Sequence, residues 1–541
     1  MNAPVPVPRW LFYAVTFTAG MTTLAVEMSV SRLIGAVLGT SNLVWAAVIA
    51  LVLIYLTAGY LLGGRLADRS PTPQRLFRLL AWAAFAAGLV PVLARPLTLA
   101  MASAFFLANL DLLVLGAAGL TVAVLFAAPV TLLGCVSPFV TRLAVSDTRS
   151  AGQAAGHIYA VSTLGSILGT FGPVLALIPA VGTTWTFAIF AGALLALALL
   201  GLALVDRRAA LHHTGMPLAL TLALLIGARG PVRPAPAGTV LLTEAETPYN
   251  YVQVVETTVE GVSRQPAGTR LLLLNEGQGV HSTYHPTVLG TGATWDFFLA
   301  GPYFNPAPYA PANLDHIAVI GLAAGTIARQ HTAVYGPIAI DGVEIDPGIV
   351  ALGQQYFGMT MPNLNVIVED GRYALAQLAD DYDLIAIDAY RVPYIPWQLT
   401  TREFFGEVRA HLAPNGVVMV NVGRASQDRR FVDALTATLE QVFASLHAMD
   451  VPFSFNTLLV ATPEETSADN LMANLAALPP DAHPFLRQTL ERAITSLAPV
   501  TPSDLVFTDD RAPVETLINA MILDFIAGEG NLAQFGEAPS S

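Results

Sequence analysis

The chain has 541 residues, 54% of them hydrophobic and only 12% charged, so it is long enough for two or three domains and too apolar for an ordinary soluble protein. All 26 basic residues are Arg, which excludes mechanisms that need a lysine Schiff base, a lysine base or a P-loop lysine. The net charge of −13 is unevenly spread: residues 1–235 carry 13 Arg against five acids, a net of +8, while residues 236–541 carry 13 Arg against 34 acids, a net of −21. An apolar, weakly basic first half followed by an acidic second half reads as a membrane domain joined to a soluble one, and the acidic half argues against nucleic acid as a partner. The single cysteine, Cys135, lies in an apolar run and reads as a buried thiol. It leaves no intrachain disulfide and no cysteine-rich metal centre, and no metal site is expected.

Spanning the hydrocarbon takes about 20 apolar residues as a helix. Six segments meet that measure, near 10–36, 41–64, 78–95, 111–134, 156–180 and 183–205. Two shorter stretches, 97–108 and 216–228, read as re-entrant, interfacial or short tilted helices, for up to eight spans in all. Arginines follow the second, fourth and sixth spans: Arg65, Arg69, Arg75 and Arg78, then Arg142 and Arg149, then Arg207 and Arg208. The positive-inside rule places these loops in the cytoplasm. The soluble half is then cytoplasmic too, provided that 216–228 does not cross. Glu27, inside the first span, needs a partner such as Arg32 or a cavity. The glycines of GYLLGGRLADR (59–69) and STLGSILGTFGP (162–173) read as close helix packing, with Asp68 pairing to Arg65 or Arg69.

From about 239 the pattern changes to short β-rich runs that suggest hairpins or a small antiparallel sheet. After Asn313 it changes again. HIAVIGLAAGT (316–326) predicts a buried strand, a glycine turn at Gly321 and Gly325, and a helix whose first N–H groups face a ligand. IAIDGVEID (338–346) ends a second strand in Glu344, whose carboxylate suits the two hydroxyls of a ribose. NVIVEDGR (365–372) ends a third in Asp370 and Gly371, and YDLIAIDAY (382–390) a fourth in Asp388. Helices near 401–412 and 427–444, a strand at 416–423 and β segments near 447–461 continue the alternation. Four strands thus end in polar groups on the edge where a parallel sheet binds its ligand, which points to a nucleoside-bearing cosubstrate.

The motifs TPYNYVQV, LNEGQGVHSTYHP, IGLAAG, VEID, EDGR and YDLIAIDAY, in that order, resemble the spermidine synthase (polyamine aminopropyltransferase) family, and DAYRVPYIPWQLTTREFF and TDDRAPVE resemble its membrane-fused branch. The resemblance covers about 245–461, with the tail motif near 508. It implies a small β-domain before a Rossmann-like fold of the S-adenosylmethionine methyltransferase type, a homodimer, and a donor that is decarboxylated S-adenosylmethionine or S-adenosylmethionine. By that resemblance Gly321 and Gly325 shape the turn over the methionine part of the donor, Glu344 holds its ribose, and Asp370 with Gly371 meets the adenine. Asn250, Gln278, Tyr284 and His285 close the site from the β-domain, and Asp388 falls on the catalytic acid. Tyr390, beside it, reads as lining the acceptor pocket. The pattern also departs from the family: Ala323 and Ala324 stand in the turn where the soluble enzymes have an acid, GVHST replaces a longer acidic loop, and Arg391 replaces a second Asp. Each missing acid weakens ammonium binding by about 1–3 kcal/mol, while Arg391 invites a carboxylate.

The expected architecture is therefore a polytopic helical membrane domain (1–235), a small β-rich domain (236–312) and a Rossmann-like domain with a C-terminal helical tail (313–541). The expected function is a transferase in a prokaryotic inner membrane that alkylates an amine, with Asp388 as the base that takes the amine's proton. Two other readings stand beside it: a methyltransferase using intact S-adenosylmethionine, and a transporter or sensor that binds a polyamine or nucleoside without turnover.

Overall fold

In the computed structural model the described residues are 7–38, 42–106, 112–145, 151–227, 230–275, 279–378, 381–390, 394–425, 428–501 and 503–527. The chain divides into two compact units: Met1–Pro234 with Glu246–Tyr251 and Asn275–Gly277, and Ala235–Ala245, Val252–Leu274 and Gln278–Ser541.

The first unit is helical. Its helices are α1 (Arg9–Leu38), α2 (Asn42–Arg69), α3 (Pro73–Phe106), α4 (Leu112–Gly134), α5 (Val136–Ala144), α6 (Ala151–Gly172), α7 (Ile178–Val205), α8 (Arg207–His213) and α9 (Gly215–Gly227). Among the described residues six stretches are long and apolar enough to cross a membrane: Arg9–Val30, Val48–Arg69, Pro73–Ala94, Leu120–Ala144, Ala151–Val205 and Arg207–Gly227. The fifth, at 55 residues, would be about 80 Å long if straight, well beyond a hydrocarbon core of roughly 30 Å. Gly182, at φ 81° and ψ 166°, breaks it into two arms, each of crossing length. Of the two short stretches, 97–108 differs from expectation, and 216–228 falls on the short helix α9. Residues 97–106 are no separate element but the continuation of α3, and 216–227 joins α8 in a 21-residue stretch. Large apolar side chains face outward from the bundle: Leu61, Leu168, Phe171 and Ile226 are each more than half exposed. Such a surface suits contact with lipid better than with water.

Glycine permits the tightest helix contacts. A Cβ on Gly165 or Gly169 would lie 2.1 Å from the carbonyl oxygen of Phe17 or Met21, so α6 meets the backbone of α1 directly. Gly59 and Gly63 do the same against Thr131 and Cys135, whereas Gly64 has no close neighbour. Asp68 pairs with Arg142 at 3.3 Å and not with Arg65 or Arg69. The local guess failed because α2 and α5 bring together residues 74 positions apart.

The second unit holds two sheets. The smaller is antiparallel, formed by β1 (Thr239–Glu246), β2 (Tyr251–Thr257), β3 (Arg270–Leu274) and β4 (Val280–Tyr284) in that order. Most of its residues share a unit with the larger sheet instead of standing apart. The larger sheet and its helices follow in chain order as α10 (Thr294–Phe297), β5 (His316–Ile320), α11 (Thr326–Tyr335), β6 (Ala339–Val343), α12 (Pro347–Tyr356), β7 (Leu364–Ile367), α13 (Gly371–Leu375), β8 (Tyr382–Ile387), α14 (Arg402–Ala410), β9 (Leu412–Gly423), α15 (Arg430–Leu439), β10 (Ser445–Asp450), β11 (Asn456–Thr462), α16 (Asp469–Ala477), α17 (Pro484–Thr495), β12 (Leu497–Ala498) and α18 (Val514–Ala527). Its strand order is β12-β10-β11-β9-β8-β5-β6-β7. Strands β5 to β9 run parallel to their neighbours, and β11 and β10 turn antiparallel.

Period-two alternation explains why this sheet is covered on both faces. Ile317, Val319, Leu384 and Ala386 enter one core with Phe297, Phe298 and Leu490. Ala318, Ile320, Ile385 and Ile387 enter the other with Phe404, Phe431 and Leu435. The chain starts at β5, moves outward through β6 and β7, then returns to the opposite side of β5 as β8. That reversal opens a crevice between the carboxyl ends of β5 and β8.

Candidate active site

The crevice is built where β5 ends. Gly321 has φ +90°, and a Cβ there would lie 2.6 Å from the backbone of Ala389, so only glycine lets the turn pass the end of β8. The amide of Asp388 donates to the Ile320 carbonyl at 2.8 Å, which fixes the two strand ends side by side. Ala323 follows in the left-handed region at φ 47°, and Gly325 at φ +84° forms the N-cap of α11. The turn is thus a string of unusual backbone angles held over the sheet edge.

Three acids close on it from successive strands. Glu344, one residue past β6, is buried; its carboxylate accepts from the Ala323 amide at 2.9 Å and the Asp346 amide at 3.0 Å. Burial pushes its pKa up to about 7 against the pull of those amides. Asp370 caps α13, accepting from the amides of Arg372 at 3.0 Å and Tyr373 at 3.1 Å. Gly371 lets the chain approach Ile320, to which a Cβ would come within 2.7 Å. Asp388 accepts from Trp295 Nε1 at 2.9 Å and Asn421 Nδ2 at 2.7 Å. Burial raises its pKa to about 6, opposed by those two donors. Neither donor is a cation, so the carboxyl is held in place without being locked in its charged form.

The network continues behind Asp388. Asn456 Nδ2 donates to Asn421 Oδ1 at 2.8 Å, and the Tyr390 hydroxyl donates to the Asn421 carbonyl at 3.1 Å. Burial, and the nearby Asp388, push the Tyr390 hydroxyl well above its usual pKa, so it stays protonated. Trp295, Asn421 and Asn456 were not singled out in the sequence. Asn421 carried a usable signal, as a polar residue in the otherwise buried apolar run GVVMVNVG. Trp295 carried none, since it reaches Asp388 from 93 residues away.

The remaining expected residues make the following contacts. Asn250 lies in the loop Glu246–Tyr251 of the helical unit, where its side-chain oxygen accepts from Asn275 at 3.0 Å. The Tyr284 ring is faced by the guanidinium groups of Arg270 and Arg329, 5.7 and 5.2 Å from its centroid. His285 Nδ1 accepts from the amides of Thr287 and Val288 and so fastens a turn. Gln278 and Arg391 lie outside the described residues. In the tail motif Thr508 closes a turn with Arg511, and Asp509 binds Arg372 at 2.7 Å and Thr401 at 2.6 Å, fastening the tail to the start of α13.

Parts of the chain are similar to known proteins. Residues 306–469 match the family model described as the spermine/spermidine synthase domain. A probable polyamine aminopropyl transferase of Bifidobacterium longum is 33% identical over 308 residues, covering 53% of this chain and 65% of that protein. A polyamine aminopropyltransferase of Vibrio vulnificus is 32% identical over 158 residues, covering 28% of this chain and 50% of that protein. The chain therefore spans less than two thirds of either relative. A solved structure, a probable spermidine synthase from Corynebacterium glutamicum, is 20% identical, covers 50% of this chain and 99% of its own, and superposes with a TM-score of 0.36. Residues 306–469, from just ahead of β5 to the first residue of α16, are thus similar to the spermine/spermidine synthase domain, and parts of the chain are similar to two polyamine aminopropyltransferases.

Proposed function

We propose that this protein is a membrane-held transferase that moves an aminopropyl group from decarboxylated S-adenosylmethionine to an amine. The observation that carries the reading is the constellation at the β5–β8 crevice: a turn of left-handed residues, Glu344 and Asp370 on neighbouring strand ends, and Asp388 held by two neutral donors. The relatives named for aminopropyl transfer support the reaction type. The bilayer, the acceptor amine and a second copy of the chain are the proposed partners.

Glu344 suits the ribose hydroxyls and Asp370 with Gly371 the adenine, with the turn Gly321–Gly325 passing over the sulfonium side chain. In the reaction the amine nitrogen attacks the carbon next to sulfur as the carbon–sulfur bond breaks. The sulfur keeps the electron pair and leaves as the neutral thioether methylthioadenosine. The proton released by the nitrogen passes to Asp388, whose pKa of about 6 leaves it largely ionised at neutral pH. Trp295 and Asn421 aim its two oxygens.

The edge also favours the decarboxylated donor. Glu344, Asp346, Glu369, Asp370 and Asp388 lie there, and among the described residues the nearest arginine in sequence, Arg372, is committed to Glu407 and Asp509. Such a field attracts an ammonium tail and repels a carboxylate. Calorimetric titration of the purified chain with decarboxylated and intact S-adenosylmethionine tests this directly. Tighter binding of the decarboxylated compound is expected, weakened at least tenfold in Glu344→Gln; preference for the intact compound refutes the donor assignment.

A further inference from the structure

The helical unit has two chemically distinct ends. At one end lie Arg9 at the start of α1, Arg65 and Arg69 closing α2, Arg75 and Arg78 opening α3, Arg142 closing α5, and Arg207 and Arg208 opening α8. Side-chain contacts tie these termini together. Arg142 pairs with Asp68, Gln74 bonds Asp206, and Asp206 in turn caps α8 through the amides of Arg208 and Ala209. The opposite end is marked by Thr183, just past the break at Gly182, and by Arg32 near the close of α1. There the Thr183 amide and hydroxyl donate to Glu246, and Arg32 donates to the carbonyls of Thr247 and Pro248. The loop Glu246–Tyr251, part of this same unit, is thus seated at the end away from the arginine cluster.

The last helices reach that end too. Three contacts give the register along α3: Phe77 with Gly201 of α7, Gly88 with Ala191 of α7 and Leu220 of α9, and Val92 with Gly227 of α9. α7 runs antiparallel to α3, and α8 with α9 climbs back parallel to it. Val92 is 19 residues into α3, about 28 Å along its axis at 1.5 Å per residue, which is nearly the whole hydrocarbon thickness. Leu218, Leu222 and Ile226 point outward from α9, as a lipid-facing helix requires. The bundle therefore makes seven traverses: α1, α2, α3, α4 with α5, α6, α7, and α8 with α9. An odd number leaves the chain on the side opposite to its start.

We infer that residues from about 228 onward, and the candidate active site with them, lie on the outer face of the membrane. This rests on the reading of α1–α9 as a membrane domain. Among the described residues of this unit, eight arginines mark the starting end, against Arg32, Arg95 and Arg233 on the other side of the bundle's midpoint, and arginine-rich termini stay in the cytoplasm. A short seventh helix would have left the second half inside; α8 and α9 together are long enough to carry it across. The geometry also bears on substrate supply. A sulfonium nucleoside of cytosolic origin carries a fixed charge that the hydrocarbon core disfavours, so it reaches such a site only by a carrier-mediated step.

The near absence of cysteine makes the test clean. In a Cys135→Ala background, Pro71→Cys reports the loop between α2 and α3, and Glu465→Cys, an exposed position after β11, reports the second unit. Each variant is expressed in bacteria and treated as spheroplasts with a membrane-impermeant maleimide, before and after lysis. Glu465→Cys is expected to label at least tenfold faster than Pro71→Cys before lysis, the two becoming comparable after it. Labelling of Pro71→Cys in sealed spheroplasts, or of Glu465→Cys only after lysis, overturns the assignment. Recovery of the protein in the soluble fraction overturns the membrane reading itself and the assignment with it. Fusions of alkaline phosphatase and of green fluorescent protein to the C-terminus of the unmutated chain give the same answer without cysteine variants: phosphatase activity supports the outer face, and fluorescence contradicts it.

Discussion

Two carboxylates of the second unit, reached through adjacent residues of α10, show how differently one fold treats buried acid. Asp296 is wholly buried and accepts from the Thr291 amide and hydroxyl, the Gly292 amide, Gln330 and the guanidinium of Arg492. Its neighbour Trp295 instead points to Asp388, which among the described residues has only Trp295 and Asn421 as partners. One acid is tied by a cation and several amide and hydroxyl donors into the packing of α11 and α17. The other is aimed but not neutralised, at the edge of a crevice. Partner type, more than burial, separates a structural carboxylate from one free to exchange a proton.

That contrast is breakable by mutation. Asp388→Asn should lower kcat by about 10²–10⁴-fold while its melting temperature at pH 8 stays close to that of the parent; a large loss of stability would make it structural. Asp296→Ala should do the reverse, costing about 3–5 kcal/mol by stranding Arg492 and the donors from Thr291 and Gln330, as urea unfolding would register. Glu344 extends the contrast to pH. Its folded pKa of about 7 lies above the unfolded value of 4.5, so its contribution to stability is complete below pH 4.5 and is lost as pH rises to about 7. Without ligand, that loss amounts to about 3 kcal/mol at most, and Glu344→Gln should flatten the dependence. Trp295→Phe removes a donor to the ionised form of Asp388 and so raises its pKa further. The acid limb of kcat/KM, expected near pH 6, should move up by about one pH unit, with about a twofold loss at neutral pH. Smallest of all, Asp509→Asn should cost about 1 kcal/mol or less, since the Asp509 side of its pair with Arg372 is 42% exposed and screened by water.

Much of this was legible in the chain. Each parallel strand of the second unit is a short buried run that stops at a polar residue, so Gly321, Glu344, Asp370 and Asp388 announced the edge before any coordinates. What those residues touch was not legible. Asp388 meets Trp295 and Asn421 across 93 and 33 residues, and no period in a sequence marks a side chain that aims at another strand's end. Asp68 shows the same limit in the helices: arginines one turn away offered a local pairing, yet tertiary packing gave it Arg142. Whether the stretch 216–228 crosses was not legible from its own dozen apolar residues, because a crossing length is reached only when α8 is counted with it.

The most direct test is the product. The detergent-solubilised chain, incubated with decarboxylated S-adenosylmethionine and a diamine, should release methylthioadenosine in equal amount with an aminopropylated amine, and Asp388→Asn should release almost none. S-adenosylhomocysteine from intact S-adenosylmethionine, or methylthioadenosine formed equally well by Asp388→Asn, would contradict a donor lodged between β5 and β8 with Asp388 as its base.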